Sequence, residues 1–466
     1  MTAVPTRSAP LTAGTLPPGP TAPRAVQGVY ALTVPQRGMF RMRERFGDAF
    51  TVNVPIFGHA LVISDPAEVK QLFTTPAEIA DNLERNLGRV LGPASMFALT
   101  GEEHRKQRKL LIPPFHGRRL AAYERIIEDE AVAEMASWPE ASEIPALPSM
   151  MRITLNVILR AVFGAEGAEF TLLRSLLPRS IKLGSKLAVM PIPRVDLGRW
   201  SPWGRFWVMR REYDAIVDRL ITRAESDPQL DARDDILALM VQARYDDGSA
   251  MSRAEIADQL LTLLVAGHET TATTLAWAVE RLRRHPAIVR ELAEEVDAGA
   301  STLRQATIVE VQRTRPVIDL VGRQVKADAF QLGRWTVPRG YSVLVSIALI
   351  HDDDRVFPNA RVFDPHRFAG ARPDLYEWIP FGGGTRRCLG AAFANLEMNV
   401  VLRTLLRDFT LDATDEPDEK WHSRGVANAP AKGGRLAVHR RTTPPNQPPE
   451  HHATTHTQLT GGRREP

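Results

Sequence analysis

From Ser252 to Arg284 the chain contains no proline, and the middle of this run is largely apolar. Ser252 with Glu255 three residues later forms a capping box, and His285-Pro286 closes the run. The spacing predicts one helix of roughly 50 Å, long enough to cross a whole domain. Its centre, Leu263-Leu264-Val265-Ala266-Gly267-His268-Glu269-Thr270-Thr271, sets a glycine, an acid and two hydroxyls among apolar neighbours. Thr270 can donate to the carbonyl four residues earlier, at Ala266, and Gly267 brings no bulk. The helix is therefore expected to open there into a small groove that suits a diatomic ligand. Alternation at Thr51-Val52-Asn53-Val54 and Ala60-Leu61-Val62-Ile63 predicts two paired strands, and Trp335 to Ile347 reads as a second hairpin. Most of the remainder has helical periodicity, so the fold class is mainly α with a smaller β region.

Composition agrees with a large globular core: 44% of the 466 residues are hydrophobic and 24% charged. No internal repeat is evident. Residues 1–25, rich in proline, threonine and alanine, read as a flexible N-terminus, and 441–466 as a disordered Pro/Thr/Gln-rich tail. A single domain is expected over 26–440. Neither a signal peptide's apolar core nor a membrane span of about 20 apolar residues is visible, which with one cysteine predicts a cytoplasmic protein. The formal charge is +4, but the basic residues are dispersed and no recognition motif accompanies them, so nucleic acid is not an expected partner.

That one cysteine carries the chemistry. A lone sulfur excludes an internal disulfide, a multi-sulfur zinc site and an iron–sulfur cluster. It leaves a core thiol, a nucleophile or a single axial metal ligand. Cys388 lies in Phe381-Gly382-Gly383-Gly384-Thr385-Arg386-Arg387-Cys388-Leu389-Gly390. The glycines would let backbone approach a large planar group. Two arginines and an expected helix start at Cys388 would favour thiolate over thiol. A phosphate-cradling loop is excluded, because neither a Gly-Lys-Ser/Thr ending nor GxGxxG is present.

Phe381, Gly384, Arg386, Cys388 and Gly390 fill every fixed position of FxxGxRxCxG, and here the chain resembles the cytochrome P-450 superfamily of soluble bacterial, actinobacterial-like type. The resemblance covers about 25 to 440. It implies haem b (iron protoporphyrin IX) with Cys388 as proximal iron ligand, whose thiolate favours O–O cleavage. It places Phe381 near the sulfur and Arg386 on a haem propionate. His104 and Arg108 match an HxxxR pair that holds a propionate, and Arg323 matches a further propionate arginine. Ala266, Gly267, Glu269, Thr270 and Thr271 match the oxygen-binding groove, with Glu269 and Thr270 supplying protons as an acid and a hydroxyl linked through water. Glu310, Arg313 and Arg367 match a buried structural network.

The implied activity is a monooxygenase that inserts one atom of O2 into a hydrophobic small molecule. Electrons would come from NAD(P)H only indirectly, through ferredoxin and ferredoxin reductase, since no flavin or nicotinamide domain is recognisable. A haem sensor or carrier would not need the Glu269-Thr270 pair, and a peroxygenase or isomerase of the same fold would be expected to differ at Thr270. Arg105, Lys106, Lys109, Arg118, Arg119 and Arg387 would form a proximal basic face for an acidic ferredoxin. Substrate contacts are sought in Leu87 to Phe97, Val265-Ala266, Val317-Ile318 and Val426-Ala427. Trp200, Trp203 and Trp207 with Pro191-Ile192-Pro193 read either as a lid or as core, with at least one tryptophan assigned to the core. His351 with Asp352, Asp353 and Asp354 reads as a solvated turn, not a metal cluster.

Overall fold

The computed structural model describes residues 16–441 except 34, 56, 84–85, 116, 165–166, 190–193 and 372. Pro191-Ile192-Pro193, the first fifteen residues and the tail from 442 lie outside the described residues. Residues 17–25, expected in the flexible N-terminus, are tied down. Thr51 Oγ1 donates to the Pro17 carbonyl at 3.0 Å, and the helix Arg24–Thr33 has already begun.

The long helix runs Arg253–Leu282, with both capping-box bonds present: Ser252 Oγ accepts from Glu255 N at 3.2 Å, and Ser252 N donates to the Glu255 carboxylate at 2.7 Å. It packs most extensively on the apolar helix Ala146–Phe163. That partner has the length and composition of a membrane span, yet 72% of it is buried inside the protein. The long helix is buried nearly all round, as a helix apolar on every face must be.

Helix continues through 263–271, the segment expected to open. Thr270 Oγ1 does donate to the Ala266 carbonyl, at 2.7 Å, but in addition to the backbone ladder. The partner helix packs against this segment. A Cβ on Gly267 would stand 3.5 Å from Ile158, and Thr154 Oγ1 lies 2.9 Å from His268 Nδ1, both from the partner helix.

The main sheet has five strands in the order Ala49–Val54, Gly58–Ile63, Ser342–Ser346, Leu320–Val325, Ala80–Asp81. The first two pair antiparallel as expected, with Thr51 opposite Leu61. The second hairpin has a different partner. Trp335–Pro338 pairs back with Ala329–Leu332, while Ser342–Ser346 joins the main sheet between Gly58–Ile63 and Leu320–Val325. Pro338 cannot continue a ladder as donor, and Gly340, at φ +82°, turns the chain away. The alternation was a true strand signal, and only the tertiary partner differs.

The turn at His351 is only partly solvated: Asp354 is exposed and Asp352 half-buried, but His351 and Asp353 are not. His351 is buried at 2% exposure; its Nε2 accepts from Ile379 N at 3.1 Å, and burial pushes its pKa down to about 3. Asp353 is buried too and takes Arg43 at 2.7 Å. Among the tryptophans, Trp203 is core at 1% exposure, Trp207 stacks on it at 5.9 Å, and Trp200 is 80% exposed.

Candidate active site

The cysteine loop is closed by its own backbone, Cys388 N donating to the Phe381 carbonyl at 2.9 Å. Gly382 and Gly384 sit at φ +64° and +65°, which only glycine adopts without strain. The close approach made by the glycines is to the protein itself. A Cβ on Gly383 would fall 2.1 Å from the Phe73 ring, and one on Gly384 2.1 Å from the Phe73 carbonyl. Nothing in the protein restricts Gly390, whose added Cβ would meet no atom within 4 Å. Phe381 packs edge-on to Trp378 at 5.9 Å, and Trp378 Nε1 donates to the Val309 carbonyl, pinning the loop to the helix Thr302–Thr314.

Two expectations about Cys388 change. It does not open the following helix, which is Ala391–Asp408 with Gly390 as N-cap. Nor do its neighbours make it a free thiolate. Burial pushes the thiol pKa up, outweighing the Gly390 N–H, Arg108 and Arg387, which pull it down. Such a thiol is a poor unaided nucleophile. Its surroundings are dense with protein, yet the residue is accessible to solvent, so it lines a cleft.

The long helix opens on interior space as well. Leu263, Ala266, Gly267 and Thr270 are partly exposed amid buried neighbours, and their spacing puts them on one face. Both cleft-lining groups belong to elements that pack together, since Thr271 hydrogen-bonds the buried Glu397 of Ala391–Asp408.

His104, Arg108, Arg323 and Arg386 converge, although they come from the helix Gly101–Leu111, the strand Leu320–Val325 and the cysteine loop. His104 is buried, and burial with Arg386 and Arg108 beside it pushes its pKa down to about 4, so it is neutral at pH 7. Burial pulls Arg323 down to about 10, with Arg386 adding to it; its Nη2 donates only to the Gly383 carbonyl, at 3.1 Å. Arg108 is lowered by burial as well. Arg386 and Arg323 thus share one carboxylate, Asp81, while the anionic partner Arg108 finds is the Cys388 sulfur.

Arg386 is the one committed to it. Its Nε and Nη2 donate to Asp81 Oδ1 at 3.2 and 2.7 Å, and it also reaches the Met96 and Leu99 carbonyls. Four of its five N–H donors are met by protein, so it clamps the loop to Asp81 and to the Met96 and Leu99 carbonyls. Burial pushes Asp81 up, but the Gly101 N–H and Arg386 outweigh it and hold it low. Arg108 and Arg323 remain as a buried positive surplus beside the neutral His104, a charge imbalance that an anionic group would relieve.

Glu269 points away from the cleft stripe, about 100° round the helix from Thr270. Its carboxylate takes Arg424 Nε at 2.7 Å and Ser185 Oγ at 3.4 Å. It lines a cavity of about 500 Å³ with His268, Asn156, Arg174, Lys182 and Arg424. The Glu310–Arg313 pair is fully buried through two bonds of 2.7 Å, and Arg367 Nε stands 3.4 Å from Glu310. Asp81, Phe73, Ser185 and Arg424 escaped the sequence reading. Each lies far along the chain from the residue it touches, and no local spacing marks it.

The family model described as Cytochrome P450 matches residues 17–434. Cytochrome P450 138 of Mycobacterium tuberculosis is 52% identical over 426 residues, covering 91% of this chain and 97% of that protein. Cytochrome P450 135B1 of the same organism is 38% identical, covering 91% of each. Retinoic acid-bound cyanobacterial CYP120A1 superposes with a TM-score of 0.81 at 26% identity, covering 91% of this chain and 99% of that one. With a cleft-lining lone cysteine, an anion-seeking cluster and these relatives, the chain belongs to the cytochrome P450 family of haem monooxygenases.

Proposed function

We propose that the protein hydroxylates a hydrophobic small molecule with one atom of O2, holding haem b through Cys388. Bound there, the haem supplies activation of O2, which the thiolate ligand promotes. The chain's own residues do the rest. His104 presents an N–H and Arg108 and Arg323 present guanidiniums to the two propionates, while Arg386 holds the loop through Asp81. Ala266 and Gly267 leave room on the distal face, and Phe381 shields the sulfur.

Thr270 Oγ1 keeps its proton on the Ala266 carbonyl and turns its lone pairs to the cleft. Glu269 lies between that groove and the polar cavity, so it can take a proton from the cavity side and pass it through water to Thr270, once released from Arg424. Val265, Ala266, Ile318 and Val426 are accessible members of the expected substrate segments, as are Leu87, Met96 and Phe97 in the segment Leu87 to Phe97, whereas Val317 and Ala427 are buried. Retinoic acid in the cyanobacterial relative is likewise a largely apolar ligand. Electrons arrive from ferredoxin and its reductase, with NAD(P)H used indirectly, in the cytoplasm.

The observation that carries this reading is a lone, solvent-accessible cysteine beside the cluster of His104, Arg108 and Arg323. The carbon monoxide difference spectrum of the reduced protein tests it. A strongly red-shifted Soret band, lost in Cys388→His, is expected; a band typical of histidine ligation in the wild type would overturn the assignment.

A further inference from the structure

Glu269 borders a cavity of about 500 Å³ enclosed by the long helix, the helix Ala146–Phe163 and the helix Ala168–Val189, with Arg424 on its wall. None of Ala266, Gly267, Thr270 and Cys388 lines it, so it is a space separate from the cleft at the cysteine.

Its charges do not balance. Glu134 is spent on Arg152, whose Nε donates to the two carboxylate oxygens at 3.0 and 2.9 Å, and on Ser149 Oγ at 2.7 Å. Glu269 is spent on Arg424 Nε at 2.7 Å. Burial pushes His268 down to about 4, so it is neutral at pH 7. That leaves Arg174 and Lys182. Among the described residues neither has a hydrogen-bond or ion-pair partner, and the two terminal nitrogens of Arg424 have none.

The remaining wall is apolar. Arg174, Pro178, Ile181 and Lys182 recur at helical spacing on one face of Ala168–Val189, and Met151 and Leu155 stand four apart on Ala146–Phe163. Pro178 has no N–H for the carbonyl of Arg174, four residues earlier, so the helix ladder lacks a bond on this face. Cations alone would suit any anion. A volume in the range of small-molecule sites and four hydrophobic side chains select one with an apolar body.

We propose that this cavity is a second ligand site, for a small organic carboxylate with an apolar body. Its head would lie on Arg174, Lys182 and the terminal nitrogens of Arg424 through charge-assisted hydrogen bonds, and its body on Met151, Leu155, Pro178 and Ile181. Because the ligand's head and the Glu269 carboxylate share Arg424, each loosens the other's hold on it. The inference does not rest on the oxidation chemistry.

Isothermal titration calorimetry of the haem-loaded full chain with octanoate tests it, at saturating 4-phenylimidazole, which coordinates haem iron and keeps the probe out of the cleft. One saturable site is expected, with octanol and inorganic phosphate each binding at least about tenfold more weakly. Arg174→Gln with Lys182→Gln should weaken octanoate about tenfold, and Lys182→Arg should bind like the wild type. Glu269→Gln, by releasing Arg424 and removing a like charge, should tighten it about threefold to tenfold. Arg174 and Lys182 are exposed, and an unaltered melting temperature and 4-phenylimidazole affinity show that fold and cleft are intact. The proposal is overturned if octanoate does not saturate one site or if the double glutamine variant binds it equally well. Octanol binding as tightly as octanoate would overturn it too, since the cations would then select nothing, and phosphate binding as tightly would reassign the cavity to an inorganic ion. An unchanged affinity in Glu269→Gln would overturn the link through Arg424.

Discussion

Thr270 and Glu269 are adjacent in sequence yet do different things. The Thr270–Ala266 bond is local, so Thr270→Ala should cost only about 1 kcal/mol of stability. Its effect belongs in coupling: with the hydroxyl gone, electrons consumed per product formed should rise several-fold, read by comparing NAD(P)H consumed with product. Full coupling in the variant would refute the proton role. One residue earlier, His268 is buried, and burial, with Arg424 adding to it, pushes its pKa down to about 4. An unfolded histidine titrates near 6.5, so the unfolded chain binds the extra proton between those values. The stability His268 confers is complete above pH 6.5 and is lost as pH falls toward 4. His104 and His351 act in the same sense. Asp319, which burial pushes up to about 6, acts in the opposite one. The melting temperature should fall between pH 6.5 and 4, and His268→Gln should make the fall shallower. An unchanged slope would exclude His268 as a contributor.

At the scale of elements, the helix Thr302–Thr314 anchors the loops behind the cysteine. Arg313 serves Glu310 and the carbonyls of His351, Ala360 and Val362, and Glu310 in turn accepts from Asp364 N. Removing one partner strands a charge in the interior, so Arg313→Met should destabilise by about 3–5 kcal/mol in urea unfolding or abolish soluble protein. A loss near zero would mean that Arg367 and water satisfy Glu310 alone. The helix periodicity, capping box and Glu310/Arg313 spacing were all legible because each is set by residues within one or two turns. The second hairpin was misassigned because alternation marks a strand without naming its neighbour, and the main sheet competed for Ser342–Ser346.

Across the whole molecule, function depends on charge brought from distant segments. Arg105, Lys109 and Arg387 are exposed, while the side chains of Arg118 and Arg119 lie outside the described residues. Arg105 and Lys109 pair with Glu102 at 2.9 Å and Asp246 at 2.6 Å, exposed pairs too weak to cancel an attractive field. Arg105→Glu with Arg387→Glu should slow electron transfer from ferredoxin and flatten its salt dependence, leaving substrate affinity unchanged. An unaltered rate in stopped-flow reduction would sink the docking face.

By itself the sequence determined what adjacency can encode: the loop around Cys388, the stripe of Ala266, Gly267 and Thr270, the capped long helix and a mainly helical class. Helical rise and side-chain period are local, so spacing alone puts those groups on one face. Tertiary structure decided which charges are free and which are spent. It gave Arg386 to Asp81 and Glu269 to Arg424, left Arg108 and Arg323 short of anions, and let burial raise the Cys388 thiol. Those outcomes depend on desolvation and on partners tens to hundreds of residues away, and neither leaves a mark in local order.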